Sequence, residues 1–186
     1  MTDIQLDKKI CEKINQIIDI NEIYLWVSSS ETCHEVNEII IREVTNTHKL
    51  RGLYITLNTP HLTLEKNLIK KKADVSKLYF IDGTNRRDLT KPQADNCTFV
   101  SNLGSLTEIS LAITNAVNTG KFEFLFLDSI STLLLYESAK TTEQFTNYII
   151  TKIRSYDLRA ILISLSDDDE SKKLIPIISQ FCDKCI

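Results

Sequence analysis

FEFLFLDSISTLLLYE, residues 122–137, sets five apolar residues among seven positions, ends that run on Asp128, and follows it at once with Ser129 and a second apolar run. Apolar residues at consecutive rather than alternating positions describe a strand covered on both faces, as in a parallel sheet flanked by helices. Phe122 to Asp128 is therefore expected to be a central strand, with Asp128 at its carboxyl end.

Other runs of the same kind surround it. Ile23 to Ser28, Gly52 to Leu57, Leu78 to Asp82 and Arg159 to Leu165 read as strands, with weaker ones near Cys97 to Ser101 and at the C-terminus, about six in all. Between them, apolar residues recur at helical spacing: Ile10, Ile14, Ile17 and Ile18; Val36, Ile40 and Val44; Leu106, Ile109, Ile113 and Val117; Phe145, Ile149 and Ile153. Alternation of strand and helix predicts a three-layer α/β/α fold with a mostly parallel central sheet. Asp82-Gly83 and Thr119-Gly120 mark turns, and Pro60 and Pro92 punctuate loops after strands.

The chain has 186 residues, enough for one domain with a sizeable core, expected to comprise an N-terminal helix over 1–21 and an α/β core over 22–186. Hydrophobic residues make up 42% and charged residues 25%, the balance of a globular protein rather than a disordered one. There is no signal-peptide pattern and no apolar run long enough for a membrane span, so a cytoplasmic location without membrane contact is expected. Five scattered cysteines fit reduced thiols better than a disulfide framework. A net charge of -3 argues against general nucleic-acid binding, which needs a cationic face. Lys66 to Lys91, with eight Lys or Arg against three Asp, is the one stretch where such contact could arise, although a solvated face is the plainer reading.

Ligands of open parallel sheets bind at the carboxyl ends of the strands. The residues expected to share a rim with Asp128 are thus Ser28 to Glu35, Asn58 to His61, Asp82 to Arg87 and Ser164 to Asp169. An apolar strand ending in Asp-Ser is also the Walker B arrangement, whose carboxylate holds Mg²⁺ beside nucleotide phosphates. On FLFLDSISTLL, on LYITLNTP (53–60) as a second strand and on FCDKCI (181–186) as a closing strand, the chain resembles the RecA/KaiC-type ATPases, including the archaeal RadA and KaiC-like proteins, from Ile23 to Ile186.

That resemblance implies a RecA-like P-loop NTPase fold with a phosphate-binding loop at IYLWVSSSETCHEVNEII (23–40). A phosphate loop needs glycines whose N–H groups curl around phosphate, a Lys for the β and γ phosphates, and a hydroxyl for Mg²⁺. Here Ser28 and Cys33 stand at the glycine positions, His34 at the lysine and Glu35 at the hydroxyl. Glu35 places an anion where phosphate charge would gather, and His34 is mostly neutral near pH 7. Where the resembled proteins carry water-activating glutamates after the second strand, this chain has Asn58 and Thr59. Ser28, Ser30, Thr32, His34, Glu35, Asp128 and Ser129 are then the remains of a nucleotide site, with no catalytic residue and no metal ligand assigned among them. Asp128 is either the remnant of a magnesium-holding carboxylate or a cap for the helix that follows it.

Other motifs have plainer readings beside their chemical ones. Cys182 and Cys185, in CDKC, have the spacing of a metal or redox pair, but the resemblance makes them small core residues on the last strand. Cys33, His34 and His61 could converge as a metal or nucleophilic site, though no spacing is diagnostic. Acids Asp167 to Glu170 favour a helix N-terminus over a cation site. Arg86 and Arg87 are anion-binding candidates or solvated loop residues.

Two functions follow from these readings. The first is a non-catalytic regulatory or scaffolding module without a cofactor, pairing with itself or with a related RecA/KaiC-like ATPase, as the resemblance implies. The alternative is a divergent nucleotide-binding protein that takes ATP and Mg²⁺ through Asp128, Ser28 to Ser30, and Arg86 or Arg87.

Overall fold

The computed structural model describes residues 3–18, 21–84, 94–101 and 105–186. Among them are seven strands: β1 (Ile23–Ser28), β2 (Gly52–Thr56), β3 (Leu78–Asp82), β4 (Cys97–Phe99), β5 (Phe124–Asp128), β6 (Arg159–Leu165) and β7 (Lys184–Cys185). The helices are α1 (Asp3–Ile17), α2 (Cys33–Asn46), α3 (His61–Lys70), α4 (Leu106–Val117), α5 (Ile130–Leu133), α6 (Ala139–Ser155) and α7 (Asp169–Ser179). All strand pairs are parallel, in the order β4-β3-β2-β5-β6-β1-β7.

Successive side chains of a strand point to opposite faces, and the sheet uses this to sort its core by chemistry. Tyr24, Trp26, Tyr54, Phe80, Phe124 and Phe126 face α1, α2 and α3. Leu25, Leu53, Ile55, Leu125, Leu127 and Leu162 face α4, α5, α6 and α7. One layer is rich in rings and the other is aliphatic. The aromatic layer requires a residue without a side chain at Gly52, where a Cβ would lie 2.0 Å from Phe124 Cζ.

Caps fix the helix starts. Ser105 accepts the N–H of Glu108 to open α4, Ser138 that of Thr141 to open α6, and Asp168 that of Ser171 to open α7. The acidic run thus does stand at a helix N-terminus. Gly120, at φ +64°, takes the left-handed turn between α4 and β5. The register sets Thr56 level with both Asp82 and Asp128, so the carboxyl ends of β2, β3 and β5 form one rim.

Candidate functional site at the strand ends

Asp128 is 2% exposed, and its carboxylate looks back across the sheet rather than forward into the next helix. Tyr54 donates its hydroxyl to Oδ2 at 2.9 Å, and Asn58 donates its amide to Oδ1 at 3.1 Å. The capping reading is therefore corrected: Ser129 precedes α5, with no side-chain cap, and both oxygens of Asp128 are engaged elsewhere. The Asp128–Ser129 peptide bond is cis.

The strand ends are laced together by hydroxyls. Ser129 Oγ lies 3.0 Å from Thr132 Oγ1, and Thr132 donates in turn to Asn58 Oδ1. Asn58 consequently bridges β5, the turn after it and the end of β2, with an amide that can neither take up nor release a proton near neutral pH. Burial pushes the Asp128 carboxyl above its usual range, against the lowering effect of the Tyr54 and Asn58 bonds. Burial and the adjacent Asp128 charge raise Tyr54 as well, so its hydroxyl stays a donor.

His34 and Asp128 share a small hollow of about 20 Å³ with Asn37, Glu38, Tyr54 and Thr59, room for roughly one water. Asn37 is 3% exposed, and neither its amide oxygen nor its nitrogen makes a hydrogen bond, although it stands near enough to Cys33 and Asp128 to lower both. Cys33 is a buried thiol, pushed up to about 12 by burial and the Asp128 charge. It has no thiolate character at neutral pH.

The loop between β1 and α2 turns in on itself. The carbonyl of Ser29 accepts the N–H groups of Thr32 at 3.2 Å and Cys33 at 2.9 Å, and the Thr32 hydroxyl lies within 3.3 Å of the Ser28 and Ser29 hydroxyls. The N–H of Ser30, in the same turn, goes to the carboxylate of Asp167 in the loop after β6. That bond holds Asp167 below the ordinary carboxylate range. Glu35 lies half-buried in the first turn of α2.

Apart from Glu35, the expected site residues thus fall into two groups. His34, Asp128 and Ser129 gather around Tyr54 and Asn58, while Ser28, Ser30 and Thr32 close on Ser29 and Asp167. His61 belongs to neither: its ring is 1% exposed, 4.8 Å from that of Phe80, and both ring nitrogens lack a hydrogen-bond partner. Arg86, Arg87 and the end of the basic stretch lie outside the described residues, whereas Lys66, Lys70, Lys71 and Lys72 are exposed on and just after α3. Cys182 is half-buried ahead of β7 and Cys185 is exposed on it, so Cys185 is not the core residue expected. That edge strand is two residues long, too short to be covered on both faces. Among the described residues no helix is long and apolar enough to cross a membrane, and no three His, Cys, Asp or Glu side chains gather as a metal site.

Tyr54 and Asn37 escaped the sequence reading. A tyrosine in an apolar strand reads as core, but Asn37 left a trace: an amide on the helix face that also carries Val36 and Ile40.

No family model and no curated protein matches the sequence. Among solved structures, a KaiC-like protein from the hyperthermophilic archaeon Pyrococcus horikoshii is similar with a TM-score of 0.67, over 89% of this chain and 70% of that one, at 13% identity. The all-parallel seven-stranded sheet, with helices on both faces and Asp128 closing a central strand, is accordingly a RecA/KaiC-like fold.

Proposed function

We propose that this chain is a RecA/KaiC-like domain without nucleotide chemistry, a single unit over 1–186 that acts in the cytoplasm as a regulatory or scaffolding protein. It binds a second copy of itself or a related RecA/KaiC-like ATPase. The observation that carries this reading is the closed β1–α2 loop, whose Thr32, Cys33 and Ser30 N–H groups are spent on Ser29 and on Asp167.

These residues do not fit a magnesium nucleotide, the ligand the fold would suggest. A phosphate bound there would have to displace a carboxylate of the same sign, and Glu35 adds a second negative charge on the first turn of α2. Asn58, in the place of a water-activating glutamate, has no basic form. Asp128 already accepts from two side chains, which leaves it a structural acceptor for Tyr54 and Asn58.

Calorimetric titration with Mg-ATP and Mg-ADP is the test, with phosphate release measured alongside. No saturable heat and no turnover are expected. Saturable binding that Asp128→Ala abolishes would overturn the reading in favour of a divergent nucleotide site.

A further inference from the structure

We propose that the outer face of α3 binds the surface of an anionic lipid bilayer, its lysines meeting the headgroup charge while Leu62 and Ile69 enter the acyl boundary. The contact asks nothing of the strand-end site and stands apart from the protein partners proposed above.

α3 has two apolar sides where a surface helix ordinarily has one. His61, Leu64 and Leu68 are buried, the two leucines among the aromatic layer of the sheet. Leu62, Lys66, Ile69 and Lys70, at successive spacings of four, three and one, form a second stripe turned outward. Leu62 is 42% exposed and Ile69 54%, two turns or about 10 Å apart along the axis. Aliphatic side chains on either side of a lysine, on an exposed helix face, are the composition of a helix that lies in a membrane interface. No described helix is long and apolar enough to cross a membrane, but one that lies on the surface needs no such length.

The positive charge here is concentrated and uncommitted. Lys66, Lys70, Lys71 and Lys72 are all exposed within seven positions, in a chain whose net charge is -3. Lys71 is drawn to Glu38 of α2, 3.5 Å away, whereas Lys66, Lys70 and Lys72 make no ion pair among the described residues. The acid within 61–72, Glu65, is turned aside, accepting from Asn96 at 2.9 Å with the His61 ring 3.9 Å away. Asn46 donates to the Lys72 carbonyl at 2.6 Å, which sets the turn after α3 against the end of α2, where Lys49 is exposed. Asp74, in the same turn, is half-buried and accepts from the Ser76 hydroxyl at 2.6 Å. Against these cations stands the exposed Asp95, beside Asn96.

The residue types name the occupant. Lysine is depleted in protein interfaces. Nucleic acid is read by arginine forks and held by rings stacked on bases, and the exposed residues of 61–72 include no Arg, Tyr, Phe or Trp. Phosphates in water would also leave Leu62 and Ile69 without a partner. A bilayer surface accounts for both kinds of side chain. Each lysine near its headgroups strengthens binding about fivefold, and the aliphatic side chains have an apolar layer to enter.

Flotation of the full chain across a lipid titration tests the proposal, with vesicles of phosphatidylcholine alone or with about 30% phosphatidylserine, at about 50 and 500 mM NaCl. The chain should float with the anionic vesicles at the lower salt, and stay behind with neutral vesicles or at the higher salt. Lys66→Ala combined with Lys70→Ala should weaken binding about 25-fold. Leu62→Ser combined with Ile69→Ser should weaken it about tenfold. Leu111→Ser, at a residue 57% exposed on α4 across the sheet, should leave it unchanged. All five substituted side chains are exposed, and unchanged circular dichroism would certify each fold. A chain that ignores anionic vesicles at the lower salt overturns the proposal, as does one that binds neutral vesicles equally well. Tighter binding to a labelled DNA duplex of about 30 base pairs, lost in the lysine variant but kept in the Leu62 and Ile69 variant, would assign the lysines to nucleic acid and overturn it too.

Discussion

Asp82 and Asp128 end neighbouring stretches of one rim and are equally hidden, at 2% exposure each, yet they are held in opposite ways. Asp82 accepts two backbone N–H groups, His61 at 2.7 Å and Thr84 at 2.8 Å, together with the Thr84 hydroxyl at 2.7 Å. It caps α3 from another strand, where Pro60 at the N-cap has no side chain able to do so. Asp128 accepts only from side chains, Tyr54 and Asn58. A carboxylate held by the main chain is part of the fold, while one held by replaceable side chains is free to have had another use. The carboxylates look alike in sequence, and only their donors tell them apart.

The largest effect that would break this comparison belongs to Asp82. Asp82→Ala strands two buried N–H groups and should cost about 3 kcal/mol in urea unfolding; a cost below about 1 would mean α3 does not depend on it. Tyr54→Phe removes one donor from a buried carboxylate and should cost about 1–2 kcal/mol by the same measurement. Asp128→Asn removes the buried charge while keeping one acceptor oxygen, so near neutral pH it should shift stability by less than about 1 kcal/mol.

Its sign depends on pH. Because the native carboxyl of Asp128 is raised, the folded chain binds its proton first as pH falls towards 3.8, and the contribution of this group to stability grows on acidification. The Asn variant should lack that gain. A wild-type chain and variant with parallel pH profiles below pH 6 would show that Asp128 is less isolated than its contacts indicate.

The smallest effect lies at His61, whose imidazole burial lowers from its ordinary 6.5. The unfolded chain takes up that proton at higher pH than the folded one, so this stability is complete above about 6.5 and drains away as pH falls through it. His61→Leu should flatten the urea midpoint between pH 7.5 and 5.5, where wild type slopes downward by a fraction of a kcal/mol. An unchanged slope would assign it to other groups.

How much of this was legible depended on whether the information was local. β1, β3 and β6 begin and end where the apolar runs do. β5 starts two residues later than expected, at Phe124, because Glu123 is diverted to accept the Arg51 N–H and Phe122 packs its ring against Tyr79. α3 gave no stripe long enough to read, since only His61, Leu64 and Leu68 of its ten residues are buried. Strand order could not be read at all, because it is decided by pairings far apart in the chain. The same limit hid the site's partners: Tyr54 lies 74 residues from Asp128, and Asp167 lies 137 from Ser30. The loss of glycine, lysine and hydroxyl at 28–35 could be read directly, but the carboxylate that closes the loop could not.

Gly52 and the ring of Phe124 behave, in effect, as one position with a fixed total volume divided between two strands. Relatives of this chain should therefore show covariation: any side chain at 52 should come with a smaller residue at 124, and the ring at 124 only with glycine at 52. In the laboratory the same rule makes Gly52→Ala strongly deleterious alone and partly rescued by Phe124→Leu, a non-additive pair whose origin is the space shared between two β-carbons' worth of chain.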